Sequence, residues 1–174
     1  YAHTTGAKKL VMPDAAGILN PLQESLGNIT QQVKVLGRSL NSDVVEQNGL
    51  LYMMDLELER IRQTKSFTVK WTNDNTEPVL NKDQRLMVFR IFQEVLNNAL
   101  KHSQATNIDV SLQGQGKFML CLKDNGVGFD TEEMLQSGKG AGLRNIPKRA
   151  ALAGMECRTD TAKGQGTIFT LQQI

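Results

Sequence analysis

Residues 89–105, FRIFQEVLNNALKHSQA, decide how the rest of the chain is read. A helix turning about 100° per residue places Val88, Ile91, Phe92, Val95 and Ala99 on one apolar face. The same turn strings Glu94, Asn98 and His102, four apart, along the edge of that face. A carboxylate and an amide at the border of a core need partners, since burying either unpaired costs about 1–3 kcal/mol. A hydrated Mg2+ on a phosphate would satisfy both, because magnesium prefers oxygen ligands and keeps water. Asn98 and Glu94 are therefore the candidate metal ligands, Glu94 acting directly or through water. An exposed helix edge with a polar i,i+4 ladder has the same spacing.

Downstream, residues 122–130 read LKDNGVGFD. An alternating apolar run leads into Asp124, which at a strand end can accept a hydrogen bond from an exocyclic amine. Gly126 and Gly128 then allow backbone angles closed to other residues and let a flat ligand approach the main chain. A turn with a local Asx bond has the same composition. Residues 137–150, SGKGAGLRNIPKRA, place Gly138, Gly140 and Gly142 before a helix expected from about Leu143 to Ala153. Free N–H groups at such a helix start attract phosphate. No strand directly precedes these glycines, so the dinucleotide fingerprint does not apply. The chain closes on AKGQGTIFTLQQI, where Thr167 enters a strand expected over Thr167–Gln172. Its hydroxyl either bonds a base or caps the turn.

Around these motifs the alternation predicts strands at Phe67–Thr72, Asn107–Leu112 and Lys117–Lys123, with a helix over Lys82–His102. Helices on one side of a mixed sheet are the economical layering for that order. The expected fold class is α+β, a two-layer α/β sandwich over residues 65–174. Residues 1–18 read as a linker or tag remnant without chemistry.

Between them, residues 19–64 read as a helical hairpin. Leu19, Leu22, Leu26, Ile29, Val33, Leu36 and Leu40 alternate steps of three and four, an a/d seam. Asn41-Ser42-Asp43 can cap a second helix carrying Val44, Leu51, Met54, Leu58 and Ile61. One hairpin leaves the seam exposed, and pairing two into a four-helix bundle removes it. A homodimer is expected; the alternative is that the seam packs on this chain's own globular part.

Composition narrows the function classes. The 174 residues are 40% hydrophobic and 22% charged, ordinary for a folded globular chain, and the net charge is +2. That balance carries no electrostatic signature for direct nucleic-acid or anionic-membrane binding. Two cysteines, Cys121 and Cys157, make no disulfide framework or zinc spacing and fit a reducing cytoplasm. No apolar run approaches the roughly 18 residues of a membrane span. Starting at Tyr1, the chain reads as a piece of a longer protein whose membrane sensor, where it has one, lies elsewhere.

Taken in order, the motifs closely resemble the GHKL (Bergerat) ATP-binding family of histidine kinases, DNA gyrase, Hsp90 and MutL, over about residues 80–174. RIFQEVLNNALKH resembles its N box, DNGVGFD its G1 box, GKGAGL its G2 box and GQGT its closing strand. The resemblance implies an ATP and Mg2+ site. Asn98 would bind the metal, with Glu94 assisting metal or water positioning as the catalytic carboxylate. Lys101 and His102 would lie near the phosphates, and Asp124 would read the adenine amine. Gly126 and Gly128 would shape the pocket. Gly138, Gly140 and Gly142, running into Leu143, would form a lid, and Thr167 would support the base.

EVLNNALKHSQA and GLRNI are similar to sensor kinases partnered with response regulators of the NarL type. That resemblance implies phosphoryl transfer to a histidine and then to a receiver domain. In that subfamily the first bundle helix carries a His-Asp pair; here LQESLGN puts Gln23 at the acceptor position and Glu24 at its acidic neighbour. An amide cannot attack a γ-phosphate as a neutral imidazole can, so self-phosphorylation is not expected. Asn28 stands where relatives place an amide that holds water for dephosphorylation. Asn20-Pro21-Leu22-Gln23 also reads as a helix start with a capping box, in which case Gln23 is structural. A non-catalytic ATP-binding or signalling module is the other function class.

Overall fold

A computed structural model describes residues 47–136 and 141–174. The elements run α1 (Leu50–Gln63), β1 (Thr68–Asn73), α2 (Lys82–His102), β2 (Asn107–Gln113), β3 (Met119–Asp124), α3 (Thr131–Gln136), α4 (Ala141–Leu152), β4 (Met155–Thr161) and β5 (Thr167–Gln173). Among the described residues the strands form one mixed sheet in the order β1-β2-β3-β5-β4. Only β1 and β2 run parallel, and such a pair needs a long crossover, which α2 provides.

The helix α2 begins where local chemistry says it should. Asn81 accepts from the Gln84 N–H at 2.9 Å while the Gln84 side chain accepts from the Asn81 N–H at 3.0 Å, a reciprocal capping box. Val88, Phe89, Ile91, Phe92, Val95, Leu96 and Ala99 are buried along it. The Phe89 and Phe92 rings lie 6.3 Å apart between centroids, tilted by 34°, inside the favourable range for aromatic pairs. Facing them, β2 turns Ile108, Val110 and Leu112 inward and Asp109 and Ser111 outward. This is the expected two-layer sandwich: one face of the sheet packs on helices and the other meets solvent.

The first described helix falls within the second helix of the expected hairpin. Residues 47–48 are helical, but Gly49 adopts φ 85° and ψ 167° and breaks the run before α1. That backbone conformation is open to glycine alone. Glu77 then caps the new start, accepting from the N–H groups of Leu50 at 2.5 Å and Leu51 at 3.1 Å. Leu50, Met53, Met54, Leu58 and Ile61 are buried in the same core as α2 and the sheet. The second half of the anticipated hairpin thus lies on the sandwich, and its seam shifts to Leu50 and Met53 ahead of the half-buried Leu51. The seam from Leu19 to Leu40, the Asn41-Ser42-Asp43 cap, Val44, Gln23, Glu24 and Asn28 lie outside the described residues.

Three further differences concern element limits. The helix after the glycine-rich segment starts at Ala141 rather than Leu143. A short helix, α3, follows Asp130, and an additional strand, β4, runs along the edge of the sheet beside β5. Neither has a strong apolar period: β4 alternates Glu156, Arg158 and Asp160 outward with Cys157, Thr159 and Thr161. Among the described residues no helix is long and apolar enough to cross a membrane.

Candidate functional site

A cleft of about 360 Å3 opens between the edge of α2 and the inner face of the sheet, a size typical of small-molecule sites. Glu94, Asn98 and His102 line one wall, so the four-residue spacing does bring them to one place. Glu94 and Asn98 are half-buried, and neither side chain has a hydrogen-bond partner among the described residues. Across from them stand Asp124, Gly128 and Thr167. Leu122, Ile146 and Phe169 provide apolar walls, and Phe129 and Met134 complete the rim on the α3 side.

Asp124 is the most telling group. It is only 4% exposed, sits at the end of β3, and spends Oδ1 on the Gly126 N–H at 2.8 Å. Among the described residues its other oxygen has no hydrogen-bond partner and no cation pairs with it. A buried acceptor with free capacity at the wall of a cleft is a place for a donor from a ligand.

The loop after Asp124 is held from several directions. Asn125 Oδ1 accepts from the N–H groups of Thr106 and Asn107 at 2.9 and 2.8 Å, and Val127 N–H donates to the Ser103 carbonyl at 2.7 Å. The glycines make these approaches possible. A Cβ on Gly126 would lie 2.2 Å from the Ser103 carbonyl oxygen. On Gly128, at φ +59°, it would lie 2.0 Å from the Ala162 carbonyl. The space left by the missing side chains is filled by this chain's own backbone, and Gly128 also lines the cleft. Gly126 supports the cleft from behind rather than lining it.

Among the other expected site residues, Lys101 is exposed in the last turn of α2 and does not line the cleft, whereas its neighbour His102 does. Gly142 and Leu143 fall in the first turn of α4. Gly138 and Gly140 lie outside the described residues. Residues the sequence did not single out are Ser103, whose hydroxyl donates to the Ala99 carbonyl and accepts from Ala105 N–H, and Thr161. Thr161 donates to the Gly166 carbonyl at 2.9 Å and so caps the turn that was considered for Thr167. Single hydroxyls that bond a helix end or a turn, or in Thr161 also the distant Phe129 N–H, leave no periodic trace, so no sequence signal pointed to them.

The cleft thus sets side-chain oxygens on a helix edge against a buried carboxylate at a strand end. Residues 83–173 match the family model described as histidine kinase-, DNA gyrase B-, and HSP90-like ATPase. The chain belongs to that family. It is 27% identical over 146 residues to the sensor histidine kinase ComP of Bacillus subtilis, covering 83% of this chain and 19% of that protein. It is 32% identical over 174 residues to an uncharacterized sensor-like histidine kinase of Chloroflexus aurantiacus, covering 94% of this chain and 29% of that protein. The chain therefore spans less than a third of either relative. Among solved structures, the Acinetobacter baumannii histidine kinase AdeS superposes with a TM-score of 0.61 at 16% identity, over 95% of this chain and 87% of that one. At that identity the likeness concerns the fold.

Proposed function

We propose that the cleft binds ATP with Mg2+ and that this chain is the ATP-binding part of a two-component sensor histidine kinase. The observation that carries the reading is the buried Asp124 carboxylate, with acceptor capacity to spare, facing the unpartnered Glu94 and Asn98. Asp124 takes the amine of the base. Asn98 and Glu94 supply oxygens to the metal, directly or through water, and His102 lies on the phosphate side with Lys101 next to it. Among the described residues no three His, Cys, Asp or Glu side chains gather around a common point. That donor set fits magnesium, which is commonly held by one or two protein oxygens together with phosphate and water rather than by a protein cage. When bound, the ion neutralises phosphate charge, and the residues of the cleft position the nucleotide. The glycine-rich segment through Gly138, Gly140 and Gly142 into Leu143 acts as the lid.

Titration calorimetry with ADP, with and without Mg2+, on this chain and on Asn98→Ala tests the site. Metal-dependent affinity that disappears in the variant supports it; equal affinity in both rejects the metal assignment.

In the full kinase the γ-phosphate passes to a histidine and then to a receiver domain of a response regulator, of the NarL-partnered type by motif wording. A cytoplasmic homodimer formed through residues 19–64 is the expected assembly, in a parent anchored to the membrane by segments elsewhere. With Gln23 at the acceptor position and Glu24 beside it, this chain binds nucleotide without phosphorylating itself. Gln23→His separates a disabled kinase from a signalling module that never transfers phosphate. Acid-labile phosphate gained by that variant identifies the former, and continued silence the latter.

A further inference from the structure

Asp124, Thr167 and Thr161 stand in one row across three strands, since Asp124 pairs with Thr167 and Thr167 with Thr161. Directly opposed residues put their side chains on the same face, about 5 Å apart. A threonine hydroxyl has one proton and two lone pairs, which makes the row countable. The Thr161 proton is committed to the Gly166 carbonyl at 2.9 Å, because a carbonyl only accepts. Thr161 Oγ1 also accepts from the Phe129 N–H at 3.2 Å. In its 3.3 Å contact with Thr167 Oγ1 it therefore has only a lone pair to offer, and Thr167 must donate. The Thr167 proton points at Thr161, and its own lone pairs, which no described residue engages, are left for the cleft it lines. Beside it, the second Asp124 oxygen is also an acceptor. Asp124 and Thr167 together thus offer the cleft lone pairs and no proton.

We propose that Thr161 is a positioning residue for base selection. By drawing the Thr167 proton away from the cleft, it makes Asp124 and Thr167 an all-acceptor edge that takes the exocyclic amine of adenine and repels a purine bearing an oxygen at that position. The proposal rests on the reading of the cleft as an adenine-nucleotide site. Thr161 does not line the cleft and acts through Thr167. Removing its hydroxyl frees Thr167 to rotate and donate to an oxo group, which weakens the discrimination.

Calorimetry with ADP and with inosine diphosphate on the whole chain tests this through the ratio of the two affinities. A merely structural role for Thr161, tying the Phe129 loop to the Gly166 turn, would weaken both nucleotides alike and leave the ratio unchanged. In Thr161→Val the preference for ADP should fall by roughly tenfold, the worth of about 1.4 kcal/mol, and Thr161→Ser should retain it. A valine variant with the wild-type ratio overturns the proposal. Thr167→Val leaves Thr161 and its turn in place and should lower the same ratio, so an unchanged ratio there overturns the proposal even if Thr161→Val does not fold. Equal wild-type affinities for the two nucleotides refute base selection alone, whereas no binding of either refutes the nucleotide site and this proposal with it.

Discussion

Replacing Gly126 with alanine tests how the loop of the cleft is built. The added Cβ would stand 2.2 Å from the Ser103 carbonyl oxygen and 2.6 Å from the Ser103 Cβ. An ordinary carbon–oxygen contact is about 3.3 Å, so the loop and the end of α2 must part by about 1 Å. The atoms in the way are a backbone carbonyl and a Cβ held at the helix terminus, and neither can swing aside as a side-chain tip would. Overpacking of this kind costs about 1–3 kcal/mol, a fall in Tm of roughly 3–10 °C for a domain of this size. The same movement pulls on the Val127 N–H to Ser103 carbonyl bond and on the Gly126 N–H that orients Asp124. Nucleotide affinity should therefore fall with stability, by roughly tenfold or more. Gly116→Ala is the control: a Cβ there meets nothing within 4 Å, and φ +75° alone is strained. It should lose about 1–2 kcal/mol of stability with unchanged affinity. Thermal unfolding and ADP calorimetry on both variants decide the matter. Gly126→Ala with wild-type Tm and affinity would refute the close approach of the loop to Ser103.

Two further outcomes are expected. The Asp74 carboxyl, exposed at the surface, is held below the usual carboxylate range chiefly by the Gln115 N–H, with Thr76 and Gly114 N–H groups adding to it and local desolvation opposing. A lowered folded-state pKa means stabilisation that is full above the unfolded value of 3.8 and lost as pH falls through the lower folded one. Asp74→Asn should then be less stable than wild type at neutral pH, with the gap in urea midpoint closing below pH 3.8; a gap independent of pH would contradict the assignment. Phe92→Ala, at a side chain only 1% exposed against Phe89, should lose about 3–5 kcal/mol, read as a lower urea midpoint, and a loss under about 1 kcal/mol would mean that the core there is not close-packed.

How much could be read beforehand varies with how local the cause is. The limits of α2 were legible to the residue, because Asn81 and Gln84 close their cap within one turn and the apolar face repeats over the whole helix. The strand β4 was not legible: its inner positions Cys157, Thr159 and Thr161 are small or polar, so alternation against Glu156, Arg158 and Asp160 is faint. The second hairpin helix was legible as a helix, while the choice between a partner helix and this chain's own globular part as its cover stayed open. A seam of Leu and Met states only that something covers it, and here the cover includes β1 and α2.

The sequence by itself determined the order of motifs, the α/β layering and the clustering of Glu94, Asn98 and His102, since each follows from periodicity or from neighbours a few residues apart. Tertiary structure alone decided how the segments around the cleft are held. Ser103 receives Val127, Thr161 ties Phe129 to Gly166, and Gly126 and Gly128 yield their side-chain space to carbonyls across the fold. The physical reason is that a hydroxyl, a carbonyl and a missing Cβ acquire a role only from the partner brought against them, and those partners arrive from elsewhere in the chain once the sheet has closed.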